Sequence, residues 1–189
     1  LLQSMQGLTI GERVRLYVDA ETGSDTNNGK ATTTAVQTID RALVLANAFQ
    51  QAIICLKRGQ TYTATDKSNE YGMGIQLYHK TLRFEAYGTA SDQPKIQNAI
   101  FAYNCNLEWK DIDLTGNSSV FTMYNTIANF ESCSLYFVES KNSFSKVYLC
   151  GIHGKWTQYG GFSTISSANP VSIQANEGAR IDCSSSTIG

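Results

Sequence analysis

Proline occurs only twice, and charged residues make up just 16 % of the 189-residue sequence. With Ser, Thr, Asn and Gly plentiful, that scarcity suits an all-β protein with many turns better than a helical one. There is neither a basic block nor an acidic tail, and the net charge is −1. The electrostatic footprint of a nucleic-acid binder is therefore missing, and no nucleic-acid partner is expected. No apolar run approaches the roughly 20 residues that span a bilayer, so membrane insertion is not expected either. Leu1–Met5 lacks the charged start and apolar core of a signal peptide. The five cysteines, at positions 55, 105, 133, 150 and 183, are odd in number and show no C-x-x-C spacing. That argues against a complete disulfide framework or a zinc knuckle, and free thiols filling small core positions are expected. The Asp- and Asn-rich loop at 21–29 lacks EF-hand spacing and reads as an Asx-rich turn. No metal site or cofactor is expected.

What is present is a repeat. Leu107-Glu108-Trp109-Lys110-Asp111-Ile112-Asp113-Leu114 alternates apolar and polar residues, breaks for two polar ones, and resumes. Period-2 alternation marks a strand with one buried face, and the break turns the chain while returning the next apolar side chain to the same interior. Related stretches start at Leu82, Ala128, Val147 and Ile181, with Phe84, Trp109, Phe130, Leu149 and Cys183 in the equivalent position. They recur at intervals of roughly 20 to 35 residues, too short for propeller blades of about 40, and they lack the L-x-x-L-x-L frame of leucine-rich repeats. A parallel β-helix remains, in which each coil pairs with its neighbours at about 4.8 Å. One convincing helix is predicted over 38–49, with Thr38 as its cap and Ile39, Ala42, Leu43 and Ala46 on one face. It is well placed to cover the open end of such a solenoid. Residues 1–13 read as a lead-in from a preceding domain and 14–189 as the β-helix domain. The sequence starts without an initiator methionine and stops inside a repeat at 187–189, so a fragment of a longer polypeptide is expected.

Three runs carry a resemblance: Tyr17-Val18-Asp19…Gly23-Ser24-Asp25…Asn28-Gly29, then Thr38-Ile39-Asp40-Arg41-Ala42-Leu43, then Gly59-Gln60-Thr61-Tyr62. Together they resemble the amino-terminal opening of pectate-lyase-like right-handed parallel β-helices, especially those of bacteriophage tailspikes and tail fibres. Relatives often place Pro and an aromatic residue before the Thr-Ile pair, where this chain has Ala35-Val36. The resemblance implies a homotrimer on a virion, assembled in the host cytoplasm, that contacts a host surface polysaccharide or receptor protein. The expected function is structural presentation and receptor binding without catalysis in this segment. A polysaccharide depolymerase, hydrolase or lyase, is the first alternative, and a bacterial surface adhesin is the second.

Stacking the repeats in register yields outward rows: Arg83, Glu108, Asn129, Tyr148, Asp182; then Glu85, Lys110, Glu131, Cys150, Ser184; then Gly88, Asp113, Ser134, His153, Thr187. Asp113, Ser134 and His153 suggest a triad, but the His should lie between nucleophile and carboxylate. Glu85 and Glu131 are the better catalytic candidates. Their backbones would be about 9.6 Å apart by the strand spacing, and flexible side chains could reach the ~6.5–9.5 Å of an inverting glycosidase. Lys110 between them suggests an alternating charge ladder instead. Aromatics including Tyr71, Tyr78, Tyr103, Tyr124, Tyr136, Phe137, Trp156 and Tyr159 fall between repeats, where they suit sugar stacking or protein contacts. Trp156 and Tyr159, with His153, are the candidate ligand contacts.

Overall fold

The computed structural model describes residues 13–63, 74–97, 100–114, 120–135, 137–140, 146–150, 173–175 and 180–184. Its strands form three parallel sheets. Sheet I has seven strands in the order β1 (Val14–Val18), β2 (Gln51–Lys57), β5 (Thr81–Tyr87), β8 (Asn106–Lys110), β11 (Ile127–Glu131), β14 (Lys146–Cys150) and β16 (Arg180–Ser184). Sheet II has four two-residue strands, β3 (Thr61–Tyr62), β6 (Lys95–Ile96), β9 (Asp113–Leu114) and β12 (Ser134–Leu135). Sheet III has five, β4 (Ile75–Tyr78), β7 (Ile100–Tyr103), β10 (Val120–Tyr124), β13 (Phe137–Ser140) and β15 (Ile173–Ala175). From β4 to β14 the chain visits the sheets in one repeating order, III, I, II.

Alternation explains the core. Leu82 and Phe84, Leu107 and Trp109, and Ala128 and Phe130 are buried on one face of sheet I, while Arg83, Glu108 and Asn129 stay partly exposed on the other. Phe84 stacks on Trp109 with ring centroids 4.1 Å apart, and Trp109 on Phe130 at 6.3 Å. Ile75, Leu77, Ile100, Ala102 and Met123 from sheet III and Tyr62, Ile96 and Leu114 from sheet II join the same buried cluster.

Two sets of corners turn the chain. Between sheets III and I the turning residues are His79, Asn104 and Asn125, and between I and II they are Gly88, Asp111 and Ser132, all at positive φ. Three of these corners bond to the repeat above: His79 N–H donates to Tyr103 O, Asn104 N–H to Tyr124 O, and Asp111 N–H to Glu131 O, at 2.9–3.0 Å. At these three corners the left-handed backbone keeps its N–H donor satisfied, which helps offset its strain.

The helix α1 (Ile39–Ala46) is shorter than 38–49. Thr38 caps it, accepting from Arg41 N–H at 3.1 Å, and Asn47, Ala48 and Phe49 continue the turn with bonds to the third preceding carbonyl. Such 3₁₀-type closure satisfies end carbonyls without extending the α-helix. Ile39, Ala42 and Ala46 are buried, whereas Leu43 is only half-buried; α1 packs on β1 and β2.

The first two outward rows hold in every described strand, each residue pairing with the next along its row: Arg83, Glu108, Asn129, Tyr148 and Asp182 in the first, and Glu85, Lys110, Glu131, Cys150 and Ser184 in the second. The third row needs correction. Asp113 pairs with Ser134, but its other neighbour is Lys95, not Gly88. After Tyr87 the chain turns at Gly88 and makes a longer excursion through Pro94 before entering sheet II, so that repeat carries extra residues at its bend. His153 and Thr187 lie outside the described residues. Sheet I also begins earlier than the repeat does, because β1 and β2 already occupy its first two places.

Candidate functional site

Three outward carboxylates of sheet I, Glu85, Glu108 and Glu131, are each engaged. Glu85 pairs with Arg15 and, at 2.8 Å, with Arg83 Nε. Glu108 takes a bidentate Arg13 guanidinium at 2.8 Å and faces Arg83 at 3.5 Å. That grip by Arg13 holds the Glu108 carboxyl below the usual range against the opposing effect of burial. Glu131 receives Lys110 Nζ at 2.7 Å. Glu85 and Glu131 therefore belong to a ladder of alternating charge with Lys110 between them, not to a pair sharing an open cleft. Beneath it, Ile53 and Cys55 point the same way from β2 but are buried. Burial beside Glu85 pushes the Cys55 thiol up to about 11, which makes it a poor nucleophile. Cys105 and Cys133 are likewise free and buried.

Asp113 and Ser134 are neighbours, yet each has another partner. Lys95 Nζ lies 3.5 Å from Asp113, and Ser134 Oγ donates to Gln93 Oε1 at 2.9 Å. Asp111 is tied by Arg58 and by Gln93 Nε2 at 2.9 Å. The candidate ligand contacts His153, Trp156 and Tyr159 lie outside the described residues, as do Tyr71 and Tyr136.

The runs that carried the resemblance form two structural clusters. Asp19, 4 % exposed, accepts from Thr22 Oγ1 at 2.6 Å, Lys57 Nζ at 2.6 Å and Gln60 Nε2 at 2.8 Å, besides the N–H groups of Glu21 and Thr22. Burial alone would raise its pKa, but Lys57, Thr22 and Gln60 outweigh that and hold the carboxyl far below the usual range. Gln60 Oε1 accepts from Ala20 N–H and from the Tyr62 hydroxyl, which itself accepts Lys57 N–H. In the second cluster Asp25 accepts from Gln37 N–H, Thr38 N–H and Thr38 Oγ1, fixing the start of α1. The first cluster fastens loop to sheet and the second fastens loop to helix, so the polar groups of both are spent on structure.

Sequence reasoning missed the feature that does face outward. Tyr78, Tyr103 and Tyr124 are not loop residues: they end β4, β7 and β10 and stack face to face, with centroids 5.0 and 4.7 Å apart and planes within 9°. Beside them runs a cleft of about 360 Å³ lined by His79, Lys80, Thr81, Asn104, Asn106, Asn125 and Ile127, with Cys105 at its floor. Asn125 Nδ2 donates to Asn104 Oδ1 at 2.6 Å. The signal was a Tyr-His or Tyr-Asn pair recurring in step with Phe84, Trp109 and Phe130. Chemically the strip offers stacked aromatic edges, amides and one imidazole, a set suited to binding hydroxyl-rich ligands and lacking paired free carboxylates.

No family model, curated protein or solved structure matches the chain. The site must speak through its own chemistry.

Proposed function

We propose that the chain is a right-handed parallel β-helix of the tailspike and tail-fibre type, which presents a binding surface for a host cell-surface polysaccharide and performs no catalysis on its described face. The repeating III–I–II order of parallel strands supports the winding, and the strong right-handed preference of parallel crossovers supports the hand. The observation that carries the function is the tyrosine ladder beside its amide-lined cleft. Rigid, amphipathic rings with hydrogen-bonding groups alongside fit sugars, and the carboxylates that hydrolysis would need are neutralised by Arg13, Arg15, Arg83 and Lys110. A homotrimer on a virion is the assembly this reading expects.

The test is titration of the protein with purified capsular and O-antigen polysaccharides, monitored by calorimetry and by reducing-end assay. Binding without release of new ends is expected, and Glu85→Gln with Glu131→Gln should leave binding unchanged. Release of ends that disappears in those variants would replace the binding reading with a depolymerase. A monomeric mass for the intact protein would count against the trimer.

A further inference from the structure

Stacking consumes ring faces. Tyr103 lies between Tyr78 and Tyr124, so both of its faces are covered. Tyr78 is different: among the described residues β4 is the last strand of sheet III, with β7 as its one sheet neighbour, so Tyr78 offers Tyr103 one face and turns the other away from the ladder. It is also 48 % exposed, one of the few large apolar side chains in that state among the described residues. Its hydroxyl donates to Gln76 Oε1 at 2.6 Å, which holds the ring in place.

The free face does not look onto flat surface. Tyr78 lines a cleft of about 390 Å³ between β4 and α1, whose opposite wall carries Leu43 and Val44, the latter 57 % exposed. Asp40 and Asn47 from the helix and Gln76 and Lys80 from the sheet side add polar groups around this apolar floor. Lys80 Nζ donates to Asn47 Oδ1, joining the two walls at one end. The volume is at the lower end of the ~300–1,000 Å³ of small-ligand sites, and a helix about 10 Å across would not enter it. One carboxylate and one ammonium balance, so the cleft selects against neither sign of charge and favours a neutral ligand.

We infer that this cleft holds one uncharged pyranose ring of the polysaccharide, its C–H face stacked on the outer face of Tyr78 and its apolar edge against Val44. The negative π-face of tyrosine attracts the polarised C–H groups, while Asp40, Asn47, Gln76 and Lys80 meet the hydroxyls at the rim. The ladder then serves as a buttress that fixes the platform, and this ring binds at its end, in addition to the contacts offered by the amide-lined cleft along its edges. This rests on the polysaccharide-binding reading and specifies where on the surface a ring sits.

Val44→Arg tests it cleanly. The position is exposed and arginine is the better helix former, so folding is not at stake, while the longer charged side chain occupies the cleft. For the polysaccharide that binds the wild-type chain, Val44→Arg should weaken affinity by about tenfold or more at unchanged Tm. Tyr78→Ala should do the same, and Tyr78→Phe, which keeps the face, should stay within about threefold. Wild-type binding that Val44→Arg leaves intact overturns this inference and spares the polysaccharide reading. Failure of the wild-type chain to bind any of the panel overturns both. A change of oligomeric mass in Val44→Arg with unchanged affinity identifies the cleft as a subunit contact, and again overturns the inference.

Discussion

Asp19 shows how one buried carboxylate can fasten three segments. It joins the end of β1 to the turn at 21–22, to Lys57 at the end of β2, and to Gln60 before β3. Charge-assisted hydrogen bonds of this kind contribute about 1.5–3 kcal/mol each when buried, although Lys57 keeps part of its side chain in solvent and contributes less. Asp19→Asn is expected to cost about 2–3 kcal/mol at pH 7 by urea denaturation. The folded carboxyl has a depressed pKa, so its contribution is complete above the unfolded value of about 3.9 and is lost as pH falls from there toward the folded value. The wild-type chain should therefore lose stability below about pH 4, and the gap to Asp19→Asn should narrow over the same range. A gap constant down to pH 2 would show that the charge on Asp19 is not what matters. Gly23 is constrained differently. A Cβ there would lie 2.3 Å from Val36 O and 2.5 Å from Asp19 O, both backbone atoms. Gly23→Ala should destabilise by about 1–3 kcal/mol, the usual cost of forced overpacking, read as a lower urea midpoint at unchanged slope.

At the scale of elements, the corners decide which strands could be read in advance. In sheet I, β5, β8 and β11 bury alternate residues in the core, and the same apolar–polar alternation in the sequence made β5, β8, β11, β14 and β16 legible as repeats. Sheet III was not. Ile75–Tyr78 and Ile100–Tyr103 are four residues long, and they end in turns made by His79 and Asn104 instead of glycine or proline, so their ends are weakly marked in the sequence. Their tyrosines consequently passed for loop aromatics, although the ladder they form is the most outward-facing aromatic feature of the described residues. Sheet II failed in register because its two-residue strands hold too little pattern to locate the excursion between Tyr87 and Lys95. The corners make a direct test. Asn104 has φ of 54° and a backbone bond to Tyr124 O. Asn104→Gly should be neutral in stability or nearly so, whereas Asn104→Val, β-branched at positive φ, should cost about 1–3 kcal/mol by thermal melting. Equal melting temperatures for the two variants would mean that the corner relaxes freely.

For the molecule as a whole, the strand order has an energetic consequence. Every sheet pairing joins segments from separate repeats, so each sheet needs the others to bring its next strand into place, and all three bury side chains in one cluster. Trp109 lies at the centre of that cluster, 1 % exposed and stacked between Phe84 and Phe130. Its truncation removes partners from the repeat before and the repeat after, and Trp→Ala in a core costs about 3–5 kcal/mol. Against a total of about 5–15 kcal/mol for a domain, that is a large share, and a shared core spreads the loss over all three sheets. Trp109→Ala should thus lower hydrogen-exchange protection together at Leu77 in β4, Ile96 in β6 and Phe130 in β11, even though none of these residues lies in β8. Loss confined to β8 and β9, with β4 and β6 still protected, would mean that the sheets open as independent units.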